Sequence, residues 1–210
     1  MKLVIFGAGG KTGTLVTQQA LDAGYEVVAY VRRPDSVTLE HENLKVVVGE
    51  LSDRVKIKAV VAGADACVST LGGKSLTKRA TEFTQGIRHI VDAMEAEGVK
   101  RFIYMSSVGA GESRFLMGQP ARFMIADVLL RIPLADHTLN EKQIAQSSLD
   151  WIVVRPGGLT DGPLSPVVNH GTEKVKIKGS PTISRASVAA FMVAQITDKT
   201  YIKKAVWLYA

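Results

Sequence analysis

Residues 4–13 read VIFGAGGKTG. A short apolar run ends in Gly7, Gly10 and Gly13, spaced three apart, with Lys11 and Thr12 between the last two. Strand, bare turn and helix start, in that order, make a cradle for a dinucleotide. The first glycine permits a tight turn, the second lets main chain approach a pyrophosphate, and the third brings helix and sheet together. The helix N-terminus adds unpaired N–H groups and the positive end of its dipole. Gly7, Gly10, Lys11, Thr12 and Gly13 are thus the first candidate cofactor-binding residues.

Working outward, strand-like stretches recur: KLVIF, EVVAYV, LKVVV, DACVST, RFIYMSS, DWIVVR and AVWLY. Amphipathic segments separate them, which is the pattern of βαβ units. The clearest helix carries Phe83, Ile87, Ile90, Val91 and Met94 on one face and stops at Gly98, as the first helix stops at Gly24. The fold class expected is α/β, a doubly wound parallel sheet (Rossmann fold), with residues 1–210 forming one domain. Irregular stretches at about 72–79, 108–120 and 157–182 each follow a strand. The carboxyl ends of strands are where such sheets bind ligands, so these stretches are the expected substrate-side walls.

Composition narrows the function. With 46% hydrophobic and 22% charged residues the chain is neither disordered nor fibrous. Its longest late apolar run, residues 188–194, is far short of the roughly 20 residues that span a bilayer, so no membrane partner is expected. No leader pattern precedes the first strand. The single cysteine, Cys67, has no internal partner and reads as a buried, reduced thiol, and a cytoplasmic location follows as the expectation. The net charge of +6 is scattered, which argues against nucleic acid. In KVKIK, residues 174–178, alternating lysines read as guards of an exposed strand edge or as attraction for an anionic ligand. No Cys, His and carboxylate spacing suggests a metal.

At the end of the second strand, NAD-binding proteins place an acid on the ribose 2′-hydroxyl. Here YVRRPD offers Arg32 and Arg33. A guanidinium grips a 2′-phosphate with two parallel bonds, so NADP (NADPH) is favoured over NAD, with Lys11 adding charge on the same side. Asp35 is the counterargument, an acid within reach of the ribose. Ser69, Thr70 and Leu71 close the fourth strand and join the cofactor-binding candidates.

The chain resembles the atypical short-chain dehydrogenase/reductase family of NAD(P)H-binding proteins. That family includes the biliverdin reductase B/flavin reductase enzymes and the NmrA-like sensors. The resemblance runs from VIFGAGGKTG through RFIYMSSVGAG and DHTLNEKQIAQSSLDWIVVRPGGLTDGPL to PTISRASVAAFMVAQIT. It implies that Ser107, with Ser106 beside it, contacts the nicotinamide region, and that the segment GELSD lines the adenine through Leu51. Asp53 of that segment reads equally as a helix cap. Pro156, Gly157 and Gly158 of RPGG read either as main chain passing the nicotinamide or as a plain turn. Arg185, at a helix start, is expected to support that loop. The relatives' histidine after the sixth strand falls near Gly157 or Gly158 and is missing, which counts against biliverdin itself.

None of the tyrosines, at 25, 30, 104, 201 and 209, has a lysine four positions on, so the Tyr-x-x-x-Lys ketoreductase mechanism is not expected. If a helix starts at Glu141, His137 stands where the superfamily's lysine often does and Pro133 where its tyrosine does. His137 is therefore a catalytic candidate beside Ser107, either orienting the ribose or relaying a proton near neutral pH. The function expected is an NADPH-dependent oxidoreductase passing hydride to a flat conjugated small-molecule acceptor such as a flavin or quinone, as monomer or homodimer. The alternative is a non-catalytic NADP(H)-binding redox sensor. Isomerase or lyase chemistry is weaker, because little chain is left over for a substrate domain.

Overall fold

Apolar strands with both faces hydrophobic need helices on both sides. The computed structural model, which describes residues 1–73, 75–116, 118–119, 122–173 and 181–210, has that arrangement. Along the chain run β1 (Lys2–Phe6), α1 (Lys11–Asp22), β2 (Glu26–Val31), β3 (Leu44–Val48), α2 (Arg54–Val61), β4 (Ala66–Ser69) and α3 (Thr81–Ala96). There follow β5 (Arg101–Met105), α4 (Arg131–Ala145), β6 (Asp150–Pro156), β7 (Gly158–Thr160), β8 (Asn169–Gly171), β9 (Thr182–Ser184), α5 (Arg185–Ala194) and β10 (Lys204–Tyr209).

The sheet order is β3-β2-β1-β4-β5-β6-β10-β8, all neighbours parallel except β8 against β10. The order reverses between β1 and β4, and a crevice opens at their carboxyl ends. Helices α1 and α5 cover one face, over Leu3, Ile5, Val68 and Ile103. Helices α2, α3 and α4 cover the other, over Val4, Phe6, Cys67 and Tyr104. Each strand stretch quoted from the sequence is a strand here, and Phe83, Ile87, Ile90, Val91 and Met94 all face the core. Cys67 is wholly buried, and burial pushes its thiol pKa up, which leaves it unreactive.

Three features differ from expectation. Glu141 lies inside α4, which begins at Arg131; Pro133 falls in the first turn, where a missing N–H costs nothing. The two-stranded β7–β9 ladder and the antiparallel β8 lie within a stretch read as irregular, because three-residue strands carry no legible period. Between β5 and α4 the chain forms a 3-10 turn (Gly111–Leu116) and a π-helical stretch (Arg122–Leu129). The lysine-rich stretch 174–178 lies outside the described residues. No helix among the described residues is long and apolar enough to cross a membrane.

The turn after β1 depends on two glycines. Gly7 adopts φ +89°, and a Cβ on Gly13 would stand 2.0 Å from the Gly7 carbonyl oxygen. Helix α1 thus rests directly on main chain. Gly13→Ala is expected to destabilise the fold by about 2–3 kcal/mol, lowering the melting temperature by roughly 5–10 °C. Gly72→Ala, where a Cβ meets nothing within 4 Å, should stay within about 0.5 kcal/mol in the same thermal unfolding experiment.

Candidate functional site

A cavity of about 670 Å³ lies over the carboxyl ends of β1 to β4. On its floor, Gly10 caps α1 without any side-chain hydrogen bond, and the first turn holds no acid. The first bond inside the helix comes from the Thr14 N–H to the Gly10 carbonyl, at 2.8 Å. The N–H groups of residues 11–13 therefore have no partner within the helix, and the positive end of its dipole is uncompensated. Thr70 ties the floor to β4, its hydroxyl 3.1 Å from the Gly7 carbonyl oxygen.

The β2 end forms the second wall. Arg32 and Arg33 are exposed there and, among the described residues, form no ion pair. Next to them the Tyr30 hydroxyl donates to the Glu50 carbonyl at 2.9 Å, bracing the turn after β3. Burial, helped by Asp53 and Glu50, pushes the Tyr30 pKa up to about 12, so this brace stays a neutral donor. Leu51 joins the wall and packs where Gly86 leaves room, and its carbonyl meets His89 Nδ1 at 2.8 Å. Asp53 is the helix cap of its two readings, accepting the Lys56 N–H at 2.9 Å. Leu71 and the first turn of α3 complete the enclosure.

Of the sequence candidates, Gly7, Gly10, Arg32, Arg33, Leu51, Thr70 and Leu71 thus share one cavity wall. The others stand elsewhere. Lys11 pairs with Asp161, at 2.8 Å, where Arg185 also binds at 2.5 Å. The hydrogen bond from Lys11 is the main cause that holds the Asp161 carboxyl below its ordinary pKa. Thr12 and Gly13 face inward. The Ser69 hydroxyl is buried without a hydrogen-bond partner among the described residues.

Toward β5 and β6, Ser106 is buried and donates to Glu141 Oε1 at 2.6 Å, while Ser107 is partly exposed with its hydroxyl 3.2 Å from the Val108 carbonyl. Arg155 grips both oxygens of Glu141, at 3.0 and 2.7 Å, and reaches Glu112 at 2.9 Å. Pro156 ends β6. A Cβ on Gly157 would stand 2.5 Å from the Pro181 carbonyl oxygen, and the Gly158 N–H donates to that same oxygen at 2.8 Å. The bareness of this turn serves the approach of another stretch of main chain.

His137 sits inside α4, with Nδ1 2.7 Å from the Tyr104 hydroxyl and its ring edge-on to Phe83, which lines the cavity. Asn140 donates to the same hydroxyl at 3.1 Å. The Tyr104 hydroxyl is thus held between the Asn140 amide and the His137 ring. Burial pushes the His137 pKa down to about 4, against the pull of Asp136, so the ring is neutral at pH 7 and does not titrate where the sequence suggested. Sequence reasoning named none of Tyr30, Ser36 and Phe83 on the wall, whereas Lys78 and Arg79 fall in the stretch 72–79 that it expected there. For Tyr30 and Ser36 the signal available was position, beside the turn after β2, whereas Phe83 read only as a core-facing helix residue.

The sequence pattern of a family described as NAD(P)H-binding matches residues 7–199. A UPF0659 protein of Saccharomyces cerevisiae is 29% identical over 93% of this chain and 87% of its own length. The photosystem II assembly factor Ycf39 of Synechocystis is 21% identical over 96% of this chain and 61% of its own. The solved structure of ChuY, an anaerobillin reductase from Escherichia coli O157:H7, superposes with a TM-score of 0.83 at 25% identity, covering 100% of this chain and 97% of that one.

The lowered His137 pKa has a consequence for stability. Its folded value lies below the ordinary 6.5, so as pH falls the unfolded chain takes up the proton first. Stability is full above about pH 6.5 and falls as pH drops toward 4. Urea unfolding at pH 7 and pH 4.5 should show the unmodified protein losing about 2 kcal/mol more than His137→Gln over that interval.

Proposed function

The chain belongs to the NAD(P)H-binding family, and we propose that it is an NADPH-dependent reductase that passes hydride to a flat conjugated acceptor such as a flavin or quinone. The observation that carries this reading is the pair of guanidinium groups on the β2 end, without an ion pair among the described residues and facing the same cavity as the uncapped start of α1. Together they offer cationic groups and bare amides at two places on one wall, which suits a dinucleotide with a 2′-phosphate. The donor set fits the coenzyme. Gly7, Gly10 and the amides of residues 11–13 would hold its diphosphate, Arg32 and Arg33 its 2′-phosphate, and Leu51, Thr70 and Leu71 its adenosine side. Bound there, the reduced nicotinamide supplies hydride.

The chain's own residues then align and protect. Ser106 has committed its proton to Glu141, so its part is to hold the turn that carries Ser107. Ser107, partly exposed and hydrogen-bonded only to the adjacent Val108 carbonyl, would meet the reacting face, and neutral His137 braces the wall through Phe83. Hydride transfer between flat rings asks mainly for alignment and exclusion of water, which suits a site without the Tyr-x-x-x-Lys pair. The likeness to ChuY, an anaerobillin reductase, supports a reductase activity. The assembly-factor relative supports the second reading, an NADP(H)-binding module that docks a protein without turnover.

Arg32→Ala is expected to weaken NADPH binding by about 1.5–3 kcal/mol while leaving NADH almost unchanged. Equal losses in titration calorimetry would refute the 2′-phosphate assignment. Mixing the protein with NADPH and a panel of FMN, quinones and dyes should bleach the nicotinamide absorbance. Binding without acceptor-dependent oxidation would select the sensor. Ser107→Ala should lower turnover by about tenfold or more with coenzyme affinity little changed, and an unaltered rate would remove Ser107 from the site.

A further inference from the structure

We propose that Asp136, which does not line the coenzyme groove, is a positioning residue for it: from α4 it fixes the rim at residues 78–83. This rests on the reading of the cavity as a nicotinamide-coenzyme site. Asp136 is 1% exposed. One carboxylate oxygen, Oδ2, accepts the Ala80 N–H at 2.9 Å. The other faces Arg79 Nε at 2.6 Å, an ion pair without hydrogen-bond alignment.

Both partners are on the groove wall, with Lys78, Thr81 and Phe83 beside them. Ala80 is the N-cap residue of α3, and its methyl group cannot cap. Asp136 supplies from another helix the acid that this N-terminus lacks at its cap, where it compensates the dipole. Gly73, at the other end of the same turn, also comes close, a Cβ there standing 3.9 Å from Oδ2. Start and finish of the turn after β4 thus converge on one buried carboxylate.

The two cationic sets in the groove are consequently unlike. Arg32 and Arg33 are exposed and form no ion pair among the described residues, suited to meeting a phosphate directly, whereas Arg79 is tethered from behind. A buried carboxylate is retained only where it is paired, and this one is spent on the shape of the rim. The rim encloses a part of the groove remote in sequence from the arginines that read the 2′-phosphate. Loosening it should therefore affect NADPH and NADH alike.

Asp136→Asn keeps an oxygen for the Ala80 N–H and removes the ion pair, while Asp136→Ala removes both. Titration calorimetry is expected to show the alanine variant binding NADPH and NADH each about tenfold more weakly, the asparagine variant falling between, and the ratio of the two affinities unchanged. At saturating NADPH, kcat with an active acceptor should be retained while the coenzyme KM rises. Arg79→Met should add little in the Asp136→Asn background, since the two groups act as one unit. Unchanged affinity in folded variants, a loss confined to NADPH, or full additivity with Arg79→Met would each overturn the inference. Should the alanine variant not fold, the asparagine variant decides. If the unmodified protein binds neither coenzyme, the functional reading fails and takes this inference with it. If it binds both and the Asp136 variants bind as tightly, this inference alone fails.

Discussion

Helix α1 touches the turn after β1 with no side chain between them, at Gly13 against the Gly7 carbonyl. That contact sets the height at which the helix begins. The unpartnered N–H groups of its first turn are thereby held at the mouth of the crevice between β1 and β4 rather than a side chain's width away. Strand pairing places the walls on either side of it. The end of β2 must lie beside the turn because β2 pairs in register with β1, Phe6 opposite Tyr30, and the end of β4 lies on the other side because Phe6 also pairs with Ser69. Arg32 and Thr70 reach the groove as continuations of those two strands.

The molecule divides its polar groups between two tasks. Cations on the β2 end are left solvated, with no ion pair among the described residues, a state in which they cost little and remain ready for an anion. The polar groups on the inner side of α4 are spent internally: Asp136 on the α3 start, His137 and Asn140 on Tyr104, Glu141 on Ser106 and Arg155. Burial is costly for such groups unless they are paired, and here the pairing links α4 to β5, β6 and the rim of the groove. Helix α4 is in this sense the part that holds the turns after β4 and β5 in one arrangement.

The legibility of this protein in its sequence followed local periodicity. The core strands were readable because β-branched runs bounded by turn residues have one common solution, and α3 because five apolar residues recur on one face. Helix α4 was not. Its inner face carries Asp136, Asn140 and Glu141 beside Leu134 and Ile144, so a polar residue that is buried looks in sequence like one that is solvated. In the same way, nothing local shows that Asp161 will come within 2.8 Å of Lys11.

The sequence by itself determined the seven parallel strands, the bare turn at Gly7 to Gly13 and the cationic end of β2. These depend on residues adjacent in the chain and on steric rules that operate within a few positions. Only the tertiary structure decided which polar groups are free and which are spent, what Gly157 makes room for, and that His137 is neutral. Pairing and desolvation are properties of neighbours distant in the chain, and a side chain's pKa and reach are settled only once those neighbours have arrived.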